Sequence, residues 1–364
     1  MANIIDYVKW RGDISFSESP FNTVDALIFA ELSYVHFDDL VPSSVVSKGI
    51  QLSSLAKKFF ALRYDRNKIG AILPTEEIHE LLRLAAESRR FAGVYVKGFI
   101  NEVDLKAEKQ FCAVCFDIGK NTTIVTFRGT DDTIVGWKED LNMSFFTPVP
   151  SQKHAVEYLN SVIRRTEREN YFVCGHSKGG NLASYASIKC DAAYQSKIKA
   201  SFSFDGPGFK KTFVRTSKKC PILSRLYKFS PQNTLIGAIF NPVESCYYVE
   251  SNAKGLYQHD AFSWQVLGKG FVFVDSPAKS SVDFHNTLEN LVQNTTDVEK
   301  IALVDALYRF FTVNEATTLT DIASDKLKFV LGILKTDDKT KKTVFGLMNK
   351  IIKEKYFPSK SKKK

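Results

Sequence analysis

The chain has 364 residues, 44% of them hydrophobic, with 29 Phe and a formal net charge of +10. A chain of this length buries a substantial core without covalent staples, and its six cysteines recur with no pattern that would suggest a disulfide framework. Nowhere do the roughly 18 consecutive apolar residues of a membrane span occur.

Taken in order, Met1 to Phe16 carries Asp6, Lys9, Arg11 and Asp13 and so lacks the apolar stretch of a signal peptide. A soluble, cytoplasmic protein with reduced thiols is expected. Residues 1–90 read as an N-terminal helical layer belonging to the main unit. Within it, Ala26 to Tyr34 has apolar positions recurring at three and four, and a second amphipathic helix starts at Thr75 behind Pro74, with Leu81, Leu82 and Leu84 on one side. The period then changes. Gly93 to Ile100, Gln110 to Ile118 and Thr122 to Phe127 predict three β segments, the last two joined by a turn at Gly119-Lys120-Asn121. Cys112 and Cys115 fall in the second of these, where a spacing of three puts them on opposite faces, so a metal or redox C-x-x-C is not expected. Trp137 to Leu141 begins a helical turn, and Ser151 to Glu169 predicts a crossover helix with Ala155, Tyr158, Leu159 and Val162 inward.

Tyr171 to Ser187 reads as strand, sharp turn and helix, with Gly175-His176-Ser177-Lys178-Gly179 at the turn. A serine in G-x-S-x-G sits at a strained strand-to-helix corner with its hydroxyl exposed, and the glycines are needed where backbones nearly touch. Ser177 is therefore the candidate nucleophile. The competing reading is a tight βα turn with a capping serine. Further strands are expected at Ala200 to Phe204, Leu226 to Phe229 and Tyr247 to Glu250, followed by a Gly255-containing loop to Gln258-His259-Asp260. Strands alternating with helices predict an α/β protein with a mostly parallel, doubly wound sheet and an antiparallel edge, its core spanning residues 91–285. From Asn286 to residue 352 the chain reads as a C-terminal helical appendage, including Ile301 to Leu307 and Leu327 to Leu334. The end, residues 353–364, is a basic tail with Lys353, Lys355, Lys360, Lys362, Lys363 and Lys364. Weak contact with an anionic membrane surface is its sharper reading; no nucleic-acid-binding motif accompanies it, so no specific nucleic acid is expected.

A serine nucleophile needs a base, an orienting acid and donors for an oxyanion. Only His259 and His285 follow Ser177, and His259 is the better base because it comes after the last sheet strand on a loop able to swing over the serine, whereas His285 sits by a helix start. His176 reads as a packing or hydrogen-bonding residue. Asp205, at the end of the strand after the nucleophile strand, is the chosen acid; its competing role is to cap the Gly206-Pro207-Gly208 turn. Asp260 adjoins the histidine too closely to serve its ring. The oxyanion donors are expected to be the backbone N–H of Lys178, at a helix N-terminus, and Thr130 through its N–H and hydroxyl, with Arg128 and Asp131 or Asp132 bracing that loop. No metal cluster or phosphate-cradling glycine loop is visible, so no cofactor is expected.

Phe127-Arg128-Gly129-Thr130, Trp137, Asp140-Leu141 and Gly175-His176-Ser177 with Gly179-Gly180, Leu182 and Ala183 together resemble the class 3 lipases. The chain is more closely similar to a bacterial group of lipase-like proteins, the Mbeg1-like family. That similarity rests on Ile5 to Asp13, Pro20-Phe21-Asn22, Asp25, Phe204 to Gly208, Ile236-Gly237, Gln258-His259-Asp260 and Phe262-Ser263-Trp264, over roughly residues 1–275. The resemblance implies the α/β-hydrolase fold and places Ser177, His259 and Thr130 in the roles of nucleophile, base and oxyanion donor. Class 3 lipases usually carry the acid one strand later, near Asn233, where this chain has no carboxylate, and an apolar residue where it has Lys178. The reading is a serine hydrolase acting on an acyl ester or lipid through an acyl-enzyme, and its rival is an idle α/β-hydrolase domain used as a binding or scaffold module.

Overall fold

The structure is a computed structural model that describes residues 2–62, 75–130, 134–293, 296–299 and 301. Among the described residues, four helices come first, α1 (Ile4–Arg11), α2 (Thr23–Leu32), α3 (Leu52–Ala61) and α4 (Thr75–Glu87), with a short strand β1 (Ile50–Gln51) ahead of α3. Then follow β2 (Tyr95–Asp104), β3 (Lys109–Ile118), β4 (Thr122–Phe127), α5 (Ile134–Phe145), α6 (Pro150–Thr166), β5 (Asn170–His176) and α7 (Lys178–Lys189). The chain continues through α8 (Ala192–Gln195), β6 (Ile198–Phe204), α9 (Lys211–Ser217), β7 (Leu226–Pro231) and β8 (Ser245–Val249). Next come β9 (Val266–Leu267), β10 (Gly270–Phe271), β11 (Phe273–Val274) and α10 (Lys279–Gln293).

Among the described residues, nine strands form one sheet in the order β1-β2-β3-β4-β5-β6-β7-β8-β11. Strands β1 to β4 pair antiparallel, β4 to β8 run parallel, and β11 returns antiparallel on β8. The β3–β4 turn is the expected one, with Gly119 at φ 72° where a side chain would be strained. Period-two alternation sorts β3 into two layers. Phe111, Ala113 and Cys115 pack with α6 and α7, whereas Cys112, Val114 and Phe116 pack with the N-terminal helices. The two cysteines thus lie on opposite faces, as their spacing requires.

The parallel strands are added in sequence order, so right-handed crossovers deliver α6, α7 and α9 to a single face. The second face is covered by α1, α2 and α4 instead of by crossover helices. A parallel sheet needs both faces covered, and here the N-terminal layer supplies half of that cover. The central parallel strands, the two helical layers and the strand-turn-helix at Ser177 make this an α/β-hydrolase fold.

Local chemistry explains how the N-terminal layer is fixed. Asn3 and Asn22 each close a capping box, with Asp6 and Asp25 three residues on accepting from the cap N–H groups. Asp25 also joins distant parts of the layer. Buried Arg90 grips it with two bonds, Nε to Oδ1 at 2.8 Å and Nη2 to Oδ2 at 2.6 Å, while the Tyr7 hydroxyl donates to Oδ1 at 3.0 Å. The Arg90 Nη1 donates to the carbonyls of Ile14 and Ser19 at 3.0 Å, tying down the loop between α1 and α2.

Helix α10 begins at Lys279, so the helical run expected from Asn286 starts within the preceding loop. The segments expected at Leu327 to Leu334 and the basic tail, 353–364, lie outside the described residues. Among the described residues, no helix is long and apolar enough to cross a membrane.

Removing one partner of a buried pair leaves the other charge unpaired and typically costs about 3–5 kcal/mol. Arg90→Ala is therefore expected to lower the unfolding free energy by about that much, read from urea denaturation. A loss below about 1 kcal/mol, the range of exposed pairs, would mean that Asp25 does not need this partner.

Candidate active site

The turn after β5 is built by close backbone approach. A Cβ on Gly175 would overlap the backbone of Gly179, and one on Gly179 would overlap the Phe127 carbonyl at the end of β4. Only glycine fits at either place, and the intervening Ser177 is held at φ 58° and ψ −131°, a region that side-chain-bearing residues rarely occupy. Its N–H donates to the Phe204 carbonyl at 2.8 Å, and its carbonyl accepts from Gly180 at 2.9 Å. The structure thus puts Ser177 half-buried at a strained corner, at the N-cap of α7.

His259 and Asp205 are brought together from positions 54 residues apart, with Nδ1 and Oδ2 at 2.7 Å. The Asp205 carboxylate is fully buried, while the His259 side chain is 25% exposed. Burial by itself would raise the Asp205 carboxyl. The His259 hydrogen bond and charge, the Thr234 hydroxyl on Oδ1 at 2.6 Å and nearby Lys228 outweigh it and hold the group below the ordinary carboxylate value. With the Nδ1 proton assigned to this bond, Nε2 is left as the basic nitrogen. Among the described residues the Ser177 hydroxyl makes no hydrogen bond to His259. The His259 ring instead stacks on that of His176, the residue before the serine, with centroids 4.6 Å apart.

The histidine loop is itself tied down. Gln258 accepts from the Asn233 N–H at 2.9 Å and its carbonyl accepts from the Trp264 indole at 2.9 Å, while the Asp260 carboxylate accepts from the Phe262 N–H at 3.0 Å. His285 lies elsewhere, with Nδ1 2.9 Å from the Ala238 carbonyl oxygen.

The loop that follows β4 comes up against Ser177: a Cβ on Gly129 would sit 3.2 Å from the Ser177 Cβ. Thr130 is thus well placed, but its hydroxyl donates to Asp140 Oδ2 at 2.5 Å. A hydroxyl has one proton to give, so the expectation that both the N–H and the hydroxyl of Thr130 aim at one oxygen is not met for the hydroxyl. Arg128 donates to Asn101 Oδ1 at 2.8 Å, and Asp131 and Asp132, expected to brace this loop, lie outside the described residues.

Lys178 contributes in a way its position in the motif does not reveal. Its backbone N–H belongs to the first turn of α7, but its side chain runs inward and is buried, pairing with Glu139 at 2.6 Å and donating to the Gln110 carbonyl at 2.8 Å. Glu139 also accepts from the N–H groups of Gln110 and Ser151 at 3.0 and 2.8 Å. The cation therefore ties the start of α7 to α5, the helix that carries Asp140 and through it the Thr130 loop. Among the described residues, no group of His, Cys, Asp and Glu side chains is arranged to hold a metal ion.

The family model of the Mbeg1-like proteins matches residues 85–309. This chain belongs to the Mbeg1-like family. Among curated proteins, none matches it. Solved structures with some similarity include a mutant form of MDLA from Penicillium cyclopium, 11% identical with a TM-score of 0.42 over 71% of this chain and 91% of that one. M37 lipase is 14% identical with a TM-score of 0.37, over 59% of this chain and 69% of that one. Lip2 lipase from Yarrowia lipolytica is 11% identical with a TM-score of 0.36, over 68% of this chain and 86% of that one. Similarity this distant carries no weight for function, and the fold stands on the chain's own sheet.

In this Mbeg1-like chain, a buried cluster beneath the two histidines has no signature in the sequence. Glu31 of α2 lies 3.4 Å from His176 Nδ1, the Tyr34 hydroxyl is also 3.4 Å from that nitrogen, and His176 Nε2 lies 2.9 Å from the His259 carbonyl oxygen. Burial, reinforced by the neighbouring His259, lowers His176 to about 3. Burial, reinforced by Asp260, raises Glu31 well above the carboxylate range. His176 is therefore neutral in the folded protein near pH 7, and Glu31 is biased toward its protonated form. A neutral His176 donates from Nε2 to the His259 carbonyl and so supports the backbone of that residue.

These two groups bias stability in opposite directions. The folded chain keeps the Glu31 proton that the unfolded chain loses above its ordinary value of 4.5, so this contribution declines as pH rises. His176 acts the other way, its contribution being complete above 6.5 and lost as pH falls toward about 3. Glu31→Gln replaces the neutral acid by a neutral amide. Its unfolding midpoint in urea, relative to the parent, is expected to climb between about pH 5 and about pH 8; a difference independent of pH would mean that Glu31 is ionised in the fold.

Proposed function

We propose that this protein is a serine hydrolase that cleaves an acyl ester or lipid through an acyl-enzyme on Ser177, with His259 as base and Asp205 as orienting acid. The observation that carries this reading is the 2.7 Å contact between His259 and a fully buried Asp205, beside a serine strained at a strand-to-helix corner. The rival reading, an idle binding module, would be favoured by an Asp205 out of reach of His259, and the 2.7 Å contact supports the hydrolase instead.

In the reaction, His259 Nε2 takes the Ser177 proton as the oxygen attacks the ester carbonyl. The tetrahedral oxyanion is met by the backbone N–H groups of Lys178 and Thr130, the first at the positive end of α7. Collapse releases the alcohol, protonated by His259, and leaves the acyl group on Ser177. Water, deprotonated by the same imidazole, then frees the acid. The inward course of the Lys178 side chain also bears on the substrate: its charge is paired with Glu139 in the core, so no ammonium has to be desolvated beside an apolar acyl chain.

A fluorophosphonate probe is expected to label the parent protein and to leave Ser177→Ala and His259→Ala unlabelled. Asp205→Asn should keep the contact with His259 but favour the wrong tautomer, lowering turnover of short acyl esters on the order of 10⁴-fold. Full labelling of the His259→Ala protein would sink the mechanism, and a series of esters of increasing acyl length would define the substrate.

A further inference from the structure

Strands β4 and β5 run parallel from Thr122 and Asn170 to Phe127 and Gly175, and Ser177 lies past their far end. At the opposite end, where they begin, a cleft of about 430 Å³ opens between the β3–β4 turn, the end of α6 and the loop before β1. That volume is in the usual range for small-ligand sites. Five cations line the cleft, Lys48, Lys97, Lys120, Arg165 and Arg168, against one carboxylate, Asp117.

The carboxylate is already occupied. Asp117 takes the buried Lys97 ammonium at 2.6 Å, the Thr123 hydroxyl at 2.6 Å and Arg168 Nη2 at 3.1 Å. Lys97 and Asp117 thus cancel, leaving Lys48, Lys120, Arg165 and Arg168 as the net charge of the cleft. Arg168 is held in a fixed orientation, since Nη1 also donates to the Lys120 carbonyl. Its Nε is buried with no hydrogen-bond partner among the described residues, a donor left unsatisfied at some cost.

Dipole complementarity at the end of α6 would account for Arg164 and Arg165 alone. It does not account for Lys48 and Lys120, which arrive from a loop and a turn outside that helix. Like charges lining one cleft repel one another, and an anion seated among them relieves that repulsion. A phosphate group, with one negative charge as a diester or up to two as a monoester and several acceptor oxygens, suits a fixed guanidinium with further cations beside it.

We propose that this cleft binds a phosphorylated ligand, whose phosphate is held by Lys48, Lys120, Arg165 and the fixed guanidinium of Arg168. The ligand source is either a soluble phosphomonoester or a phospholipid headgroup. The site is separate from Ser177 and does not depend on the hydrolase reading.

The test uses the full-length chain and a Lys48→Glu, Arg165→Glu double variant, both exposed positions. Titration with glycerol 3-phosphate, and sedimentation with phosphatidylglycerol or phosphatidylcholine vesicles, are read in parallel. The parent protein is expected to bind at least one of the two phosphate probes, and the variant to bind that probe at least about tenfold more weakly, since two charge-assisted contacts are lost. Parental binding should also weaken between about 50 and about 500 mM NaCl. Loss confined to glycerol 3-phosphate identifies a soluble ligand, and loss confined to phosphatidylglycerol identifies a headgroup. A Lys120→Gln variant with intermediate affinity keeps the result readable if the double variant folds poorly, and fluorophosphonate labelling of Ser177 should be the same in all three. Equal binding by parent and variants, which would assign the attraction to residues 353–364, or no binding to either probe, overturns the proposal.

Discussion

Ser177 can stand at φ 58° only because the chain on both sides of it is pinned. Gly175 and Gly179 meet without side chains between them, the Ser177 N–H is bonded to the end of β6, and α7 is wedged against the β4 carbonyl at Phe127. A conformation costing about 1–3 kcal/mol persists where its surroundings over-determine it. Those same surroundings bring the neighbouring groups into range, because the Gly129 loop leaves β4 next to the corner and Asp205 leaves β6 on its other side. The strain and the constellation are consequences of one packing arrangement.

Support for the site extends into both layers of the molecule. On one side, Lys178 runs from the corner to Glu139 and so to α5, whose Asp140 holds the Thr130 hydroxyl. On the other, α2 presents Glu31 and Tyr34 beneath His176, which carries the His259 backbone. The N-terminal helices cover the second face of the sheet, and they also form the floor under the histidine pair. This gives a physical reason for residues near the start of the chain to be tied into the fold so firmly, through the Asn3 and Asn22 capping boxes and the Asp25 to Arg90 pair. Asn3 further donates to the Phe262 carbonyl at 2.9 Å, linking the first helix directly to the histidine loop.

What could be read in the sequence follows from how local each feature is. Strands β2 to β8, the β3–β4 turn, the crossover helix and the elbow are set by periods of two and 3.6 and by glycine positions within a few residues, and these were legible; the two-residue strands β1, β9, β10 and β11 are too short to show a period and were not. The division of β3 between two layers could be read at Cys112 and Cys115 for the same reason. The Asp205 to His259 contact was reachable by elimination, since few carboxylates end a strand. The pairs Lys178 with Glu139, Glu31 with His176 and Asp25 with Arg90 were not: each joins residues 39 or more positions apart, and nothing in a lysine or glutamate marks it as buried until its partner is placed. Lys178 is the instructive case, because its place beside the serine suggests a charge facing the substrate when its side chain faces the core.

Asp205, the proposed acid, stands one strand earlier than the class 3 lipase pattern has it, and its contacts account for how it is held there. Where that pattern has a carboxylate after the following strand, this chain has Gln232, Asn233 and Thr234 at the end of β7. These residues still serve the site, with Thr234 donating to Asp205 Oδ1 and the Asn233 N–H donating to Gln258 beside the histidine. Asp205 reaches His259 from one strand closer to the nucleophile, at φ 47°, a turn in the backbone that aims its side chain toward the neighbouring strand end. Gly237 lies so close to the carboxylate that a Cβ there would overlap Oδ1, which accounts for glycine at that place. The end of β7 carries no carboxylate and supplies instead the Thr234 hydroxyl that holds Asp205 and the Asn233 N–H that holds Gln258 beside the histidine.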